Sequence, residues 1–359
     1  MMIGKVGVLG AGTMGAGIAQ LCLQKKIPVI LYDACAEPLC ASAGRIKEGL
    51  LNAAAKNRIS QESAEWGAQN VVYAKSLNEL SSCDLVVEAI IEDLPAKVKI
   101  LSEIEKLCPQ AILATNTSSF LVSKVGEGLK KPGRFLGLHF FNPPVAMKLV
   151  EMIRAPKTDA DVFEEAKKFV EESLQKTAVA VKDTPGFVVN RVMRPYYLES
   201  QRAVLGGAGI SELDLAARMI GGVPMGPFEL MDLIGLDINL AITKTIYEAL
   251  NCPERLKPQP IQEHLVSLGH NGRKSGKGFY LYKDGKLIGE NPEVAVAAPG
   301  DGDFSDGEAW EMVIQAVIEE AEMVLKEGIA SREDIDRAII LAMNFPQGPL
   351  EWKKNVNPL

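Results

Sequence analysis

The sequence predicts an α/β fold class: a doubly wound, mainly parallel sheet domain, followed by an all-α half in which one helical unit is duplicated. Three observations predict it. A glycine-rich turn lies between a short apolar run and a helical pattern near the start of the chain. Strand-length apolar runs then alternate with helical stretches up to about residue 184. Beyond that point the pattern is helical, and two segments resemble one another.

The 359 residues are 47% hydrophobic and 24% charged, an ordinary globular composition with room for two or three domains. Boundaries are expected at 1–184, 185–285 and 286–359. The net charge of −7, with no sustained basic run, argues against a nucleic-acid partner. It leaves an anionic substrate open, because a few local lysines can hold a phosphate. Cys22, Cys35, Cys40, Cys83, Cys108 and Cys252 form no CxxC pair and read as reduced thiols of a cytoplasmic protein. No apolar run of about 18 residues suggests a membrane span. The opening, Met1 to Val6, runs straight into a strand and leaves no room for a signal or transit peptide.

Lys5 to Leu9 reads as that strand. Gly10-Ala11-Gly12-Thr13-Met14-Gly15 follows and opens a helical pattern, so GxGxxG stands in the strand–turn–helix context of a Rossmann-type dinucleotide site. Gly10 permits the tight turn and Gly12 lets the backbone approach a pyrophosphate. Gly15 lets helix and strand pack closely, with Thr13 and Met14 at the helix N-terminus that faces the phosphates. A second strand, Val29 to Tyr32, ends in Asp33, 21 residues after Gly12. A carboxylate there accepts hydrogen bonds from the adenosine ribose and repels a 2′-phosphate. Ala34 and Cys35 follow with no arginine, so NAD is expected rather than NADP.

Helical patterns at Glu37 to Lys56 and Ala96 to Leu107 alternate with further strands. These are Asp84 to Ala89, Ala111 to Thr115, Phe135 to Phe141, Lys148 to Arg154 and Thr177 to Val181. In such a sheet a ligand sits outside the carboxyl ends of the strands, and three segments fall there. Asn116-Thr117-Ser118-Ser119 can donate to a carbonyl or cap the next helix, and the cap is the better reading of these residues alone. Gly137 to Pro144 contains His139, the one histidine at a strand end in this domain, with Glu151 on the next strand. A carboxylate beside an imidazole fixes its tautomer and raises its pKa. Such a pair can take the proton of an alcohol while hydride leaves the same carbon. A core histidine satisfied by a neighbouring acid is the competing reading. In Asp183 to Arg191, Pro185 and Gly186 end the sheet domain. A long helix is expected from near Phe187, with Asn190 on its first turn and aimed back at the cleft.

These segments, with Asp84 to Ala89 and Pro224 to Glu229, resemble the 3-hydroxyacyl-CoA dehydrogenase family over nearly the whole chain. The resemblance implies NAD-dependent oxidation of an L-3-hydroxyacyl-CoA to the 3-ketoacyl-CoA, or the reverse, in fatty acid metabolism. It implies His139 as general base and Glu151 as its orienting partner, with Ser118 and Asn190 at the reacting oxygen and the thioester. Glu92 and Lys97 match positions lining the nicotinamide and its ribose, Asn116 falls in the cofactor site, and Asn142 helps hold the pocket. Lys56 matches a lysine that meets the CoA phosphates, or is a solvated helix-face lysine. The family's serine seven residues earlier is Gly49 here. Two other readings stay open: a dehydrogenase of a small hydroxy acid such as gulonate, and a non-catalytic NAD(H)-binding sensor. The Phe140 to Pro143 and Met147 to Leu149 context favours the acyl-CoA branch, and the presence of Ser118, His139, Glu151 and Asn190 argues against the sensor.

In the helical half, Gly209 to Asp214 with Pro224 to Glu229 resembles Gly328 to Asp336 with Pro346 to Glu351. An amphipathic helix carrying an acid, Glu199 or Glu320, precedes each. Matching those acids puts Glu311 opposite Asn190, so the second copy lacks the asparagine and reads as structural. Short members of the family dimerise through a single helical domain. A monomer with an internal pseudo-dimer is therefore expected here, a homodimer being the alternative. Gly272 to Tyr280 reads as a domain strap or a loop over the substrate, the strap being favoured. Pro299 to Gly307 reads as a flexible acidic linker.

Overall fold

The computed structural model describes residues 3–297 and 306–353. The chain divides between Thr184 and Pro185 into two compact units.

The first unit is built on one eight-stranded sheet. Its strands are β1 (Val6–Leu9), β2 (Val29–Tyr32), β3 (Val71–Ala74), β4 (Leu85–Glu88), β5 (Ile112–Thr115), β6 (Phe135–Phe140), β7 (Leu149–Arg154) and β8 (Thr177–Lys182), in the order β3-β2-β1-β4-β5-β6-β7-β8. Helices α1 (Thr13–Gln24), α2 (Ala36–Ala55), α3 (Gln61–Gln69), α4 (Leu94–Leu107), α5 (Val122–Val125) and α6 (Ala160–Lys168) connect them. Every residue of β1, β4, β5 and β6 is buried, as in a sheet covered on both faces. Ile18 and Leu21 of α1, Ile46 and Leu50 of α2 and Phe163 of α6 share one apolar core with Val6, Val8, Leu85 and Val87.

All neighbouring strands run parallel except β6 and β7. The short connection between those two cannot make a crossover, so the chain must turn back on itself. The resulting register sets His139 directly opposite Glu151.

Two expectations change here. The sequence reading has no place for α3, β3 or α6; β3 is an edge strand with Val72 exposed, and α3 is short and polar, so neither carries a long apolar period. Nor do Asn116 to Ser119 cap a helix. The next helix, α5, begins at Val122, and its first amides donate to Asp183 at the end of β8, Val122 N–H at 2.7 Å and Ser123 N–H at 2.8 Å.

The second unit opens with α7 (Val189–Val192) and α8 (Arg194–Leu205). The single long helix expected from Phe187 is therefore broken. Phe187 sits in the left-handed region at φ 52°, and Pro195 lacks the N–H that would reach the carbonyl of Arg191. Then follow α9 (Ile210–Met219), α10 (Pro227–Ile234), α11 (Leu236–Ala249), α12 (Pro260–Ser267), a hairpin of β9 (Tyr280–Lys283) and β10 (Lys286–Glu290), and α13 (Glu293–Ala297). The unit ends with α14 (Asp306–Lys326), α15 (Arg332–Met343) and α16 (Pro349–Trp352). Gly307 thus belongs to a helix, while residues 299–305 of the expected linker lie outside the described residues. Among the described residues no helix is long and apolar enough to cross a membrane.

The duplication is visible in the hydrogen bonds. Asp214 of α9 accepts from Phe228 and Glu229 N–H, both at 3.0 Å, and so caps α10. Asp336 of α15 accepts from Leu350 N–H at 2.8 Å at the start of α16. In both copies the preceding residue is glycine, Gly226 or Gly348, where a Cβ would lie 2.2 Å from the capping aspartate. Gly207 and Gly328 both close the foregoing helix at positive φ, so Gly328 matches Gly207 rather than Gly209. Gly209 corresponds instead to Ser331, each being the N-cap of the next helix.

Gly272 to Tyr280 is a strap. Asp232 of α10 accepts Phe279 N–H at 2.8 Å, Tyr280 N–H at 2.9 Å and the Tyr282 hydroxyl at 3.0 Å. Asp214→Ala would leave two amides unmet at the start of α10 and should lower the unfolding free energy by about 3 kcal/mol in urea titration. Asp336→Ala, at a half-buried position, should cost less.

Candidate active site

His139 Nδ1 lies 2.7 Å from Oε2 of Glu151, which is fully buried, while the imidazole is 6% exposed. A carboxylate only accepts, so Nδ1 carries the hydrogen and Nε2 is the basic nitrogen. The Phe141 ring packs against the imidazole with centroids 4.5 Å apart. Asn116 Oδ1 accepts Phe140 N–H at 2.8 Å, which ties the loop after β5 to the residue beside His139.

That loop is gathered on Glu92. Its Oε1 accepts from Thr117 Oγ1 at 2.6 Å, Ser119 Oγ at 2.8 Å, Ser118 N–H at 3.0 Å and Ser119 N–H at 3.2 Å. Lys97 Nζ lies 3.1 Å from Glu92 Oε2 and 2.7 Å from Glu88 Oε1. Glu88 ends β4 and also accepts the Thr115 hydroxyl at 2.7 Å. Burial raises the Glu92 pKa, but the Lys97 charge and the donors on Thr117, Ser119 and Lys97 outweigh it and hold the carboxyl below its ordinary value. Lys97 is 1% exposed and Glu92 37%, so Glu92 rather than the lysine is open to solvent. Sequence reasoning does not single out Glu88; the available signal is an acid closing an otherwise apolar strand.

The glycines of the turn differ in what each allows. A Cβ at Gly10, which has φ 100°, would lie 2.4 Å from the Ala89 carbonyl oxygen, and one at Gly15 would lie 1.8 Å from that of Gly10. At Gly12 it would meet nothing within 4 Å, which leaves the open approach that a pyrophosphate requires. Gly12 is also the N-cap of α1 and has no side chain to occupy the first-turn amides around Thr13 and Met14. Asp33 Oδ2 accepts Ala11 N–H at 2.7 Å and Oδ1 accepts Cys35 N–H at 2.9 Å. Arg45 of α2 donates to the Ala11 carbonyl at 2.7 Å. This arginine reads from the sequence only as one polar residue of a helix face. The residues fit a dinucleotide.

The turn after β6 closes on the same helix. A Cβ at Gly17 of α1 would lie 2.7 Å from Pro144 Cδ, so only glycine lets that turn approach. Asn142 and Pro143 line, with Thr13, Gln20 and Arg45, a cleft of about 150 Å³. Lys176 donates to the carbonyls of Pro144 at 2.8 Å and Met147 at 2.6 Å, and burial pulls its ammonium down to about 8.

Asn190 lies on α7 in the second unit, where its carbonyl accepts Arg194 Nε at 2.8 Å. Lys56 is the exposed C-cap of α2. At Gly49 a Cβ would lie 2.4 Å from Gln20 Oε1, so the glutamine fills the space a larger residue would need. Since no protein atom faces the Cβ position at Gly12, Gly12→Val should leave thermal unfolding unchanged. It should weaken NADH binding by about tenfold or more in a fluorescence titration, or about 1.4 kcal/mol.

Comparison with known proteins bears on the whole chain. A profile described as "3-hydroxyacyl-CoA dehydrogenase, NAD binding domain" matches residues 5–184. The corresponding "C-terminal domain" profile matches residues 186–282 and again residues 310–357. A 3-hydroxyadipyl-CoA dehydrogenase of Escherichia coli (strain K12) is 32% identical over 97% of this chain and 90% of its own. A 3-hydroxybutyryl-CoA dehydrogenase of Bradyrhizobium diazoefficiens is 37% identical over 80% of this chain and 98% of its own. A crystal structure of 3-hydroxybutyryl-CoA dehydrogenase from Escherichia coli K12 superposes with a TM-score of 0.90 at 30% identity, covering 99% of this chain and 92% of that one. With both domain profiles matched, and the helical one twice, the chain belongs to the family of NAD-dependent 3-hydroxyacyl-CoA dehydrogenases.

Proposed function

We propose that the enzyme oxidises the 3-hydroxyl of an L-3-hydroxyacyl-CoA to a ketone, or runs the reverse reaction, with His139 as the general base. The supporting observation is the bond between His139 Nδ1 and the buried Glu151 carboxylate. Glu151 holds the ring with Nε2 basic and favours the imidazolium formed as the hydroxyl proton arrives. The Gly10 to Gly15 turn and Asp33 would hold NAD, whose nicotinamide would supply the acceptor for the hydride leaving the substrate carbon. Ser118, on the loop fastened to Glu92, orients the reacting oxygen, and the neutral amide of Asn190 holds the thioester oxygen. Asn116 and Asn142 support the pocket from the ends of β5 and β6. Lys56 is assigned to the CoA phosphates on position alone.

We further infer a monomer in which the second helical copy takes the place of a partner. The support is the packing between copies: the Tyr196 ring meets Trp310 at 6.4 Å and Phe345 at 5.6 Å. A Cβ at Gly221 would run into the Trp310 ring. The cysteines are all free thiols, which suits the cytoplasm.

Turnover of acetoacetyl-CoA and longer 3-ketoacyl-CoAs, followed at the NADH absorbance band, tests the substrate class; no turnover of any of them rejects it. His139→Gln should lower kcat by about 10²- to 10⁴-fold while leaving NADH affinity unchanged. In sedimentation the protein should run as a monomer at all concentrations, and an obligate dimer formed through the second copy would defeat that reading.

A further inference from the structure

Asn190 is carried by a helix too short to hold itself. Helix α7 has four residues, with Phe187 at φ 52° before it and Pro195 just after it. A single turn fixes many dihedrals for very few hydrogen bonds, so its direction must be imposed by packing.

The packing comes from two sides. From the first copy, Arg194 donates from Nε to the Asn190 carbonyl at 2.8 Å and from Nη1 to Thr243 Oγ1 at 3.0 Å, with its guanidinium 4.8 Å over the Tyr197 ring. From the second copy come two carboxylates that hold the next residue, Arg191, which is 1% exposed. Its Nε donates to Glu320 Oε1 at 2.9 Å, while Nη1 and Nη2 donate to Glu327 Oε2 and Oε1 at 2.6 and 2.7 Å. Glu320 is itself buried, and its other oxygen accepts Arg255 Nε at 2.6 Å. A guanidinium forked onto one carboxylate and tied by its third nitrogen to another has little freedom to rotate. The residue fixed this way is the direct neighbour of Asn190.

We propose that Arg191, Glu320 and Glu327 form a clamp through which the second helical copy sets the direction of Asn190. The copy without the asparagine is then a working part of the substrate site rather than only a filler for a missing partner. Arg191 is a positioning residue and touches no substrate. This proposal rests on the thioester-binding role given to Asn190 above.

Glu327→Gln is the informative variant, because the Glu327 side chain is 49% exposed and its loss leaves Arg191 bonded to Glu320. Arg191→Lys, which keeps the charge but not the fork, is the second. Both should lower kcat/KM for acetoacetyl-CoA by about 5- to 10-fold with KM for NADH unchanged; the melting temperature should hold in Glu327→Gln and fall in Arg191→Lys, which leaves buried bonds of the fork unmade. In an Asn190→Ala background neither should cost anything further. Wild-type kcat/KM in both variants, or the same loss with and without Asn190, overturns the clamp while leaving the role of Asn190 intact. Wild-type kcat/KM in Asn190→Ala alone overturns that role and the clamp with it.

Discussion

The sheet domain is organised by the need to bury a carboxylate and satisfy it. Glu151 has no exposed surface, and an ionised acid in such a place costs several kcal/mol unless it is met by a partner. The partner is His139, directly across an antiparallel pair. A slip of one residue would turn the two side chains to opposite faces of the sheet, so the pair and the strand register specify each other. The one antiparallel step in the sheet is thus the step that carries the imidazole. The turn joining its strands is held by Lys176 from one side and accommodated by Gly17 on the other.

A second charged arrangement, buried at Glu88 and Lys97 and open to solvent at Glu92, is tied to the first through Asn116. Glu88, Lys97 and Glu92 run as acid, base, acid from the end of β4 to the loop after β5, and every distance along that line is 3.1 Å or less. Its outer member collects the donors of Thr117, Ser118 and Ser119. The loop is therefore shaped by a charge rather than by helix capping, and Asn116 passes that order on to β6.

What could be read from the sequence was local chemistry. Gly10, Gly12 and Gly15 between a strand and a helix, with Asp33 closing the next strand, announce a dinucleotide turn because each residue type answers a constraint within a few residues. His139 and Glu151 were legible for the same reason, being close in sequence on strands of clear pattern. Pro195 signalled a break, but the apolar residues Phe187, Val188, Val189 and Val192 before it masked it. Edge strand β3 and the polar helix α3 bury too little to leave a period. Glu88 and Arg191 could not be assigned because a buried charge is explained only by its partners, and Arg45 because nothing in the sequence separates it from the other charges of an exposed helix face. The partners of Arg191 lie 129 and 136 residues further along the chain.

The aspartate that caps the following helix, Asp214 in one copy and Asp336 in the other, has a consequence for how such a chain can grow. Each copy meets the start of its own helix with an aspartate from within, over a span of 14 residues. A segment closed in this way can be inserted a second time into a gene without leaving stray amides in either product. Once there are two, the spare is released from chemistry at one position and can trade an asparagine for whatever its new surroundings favour.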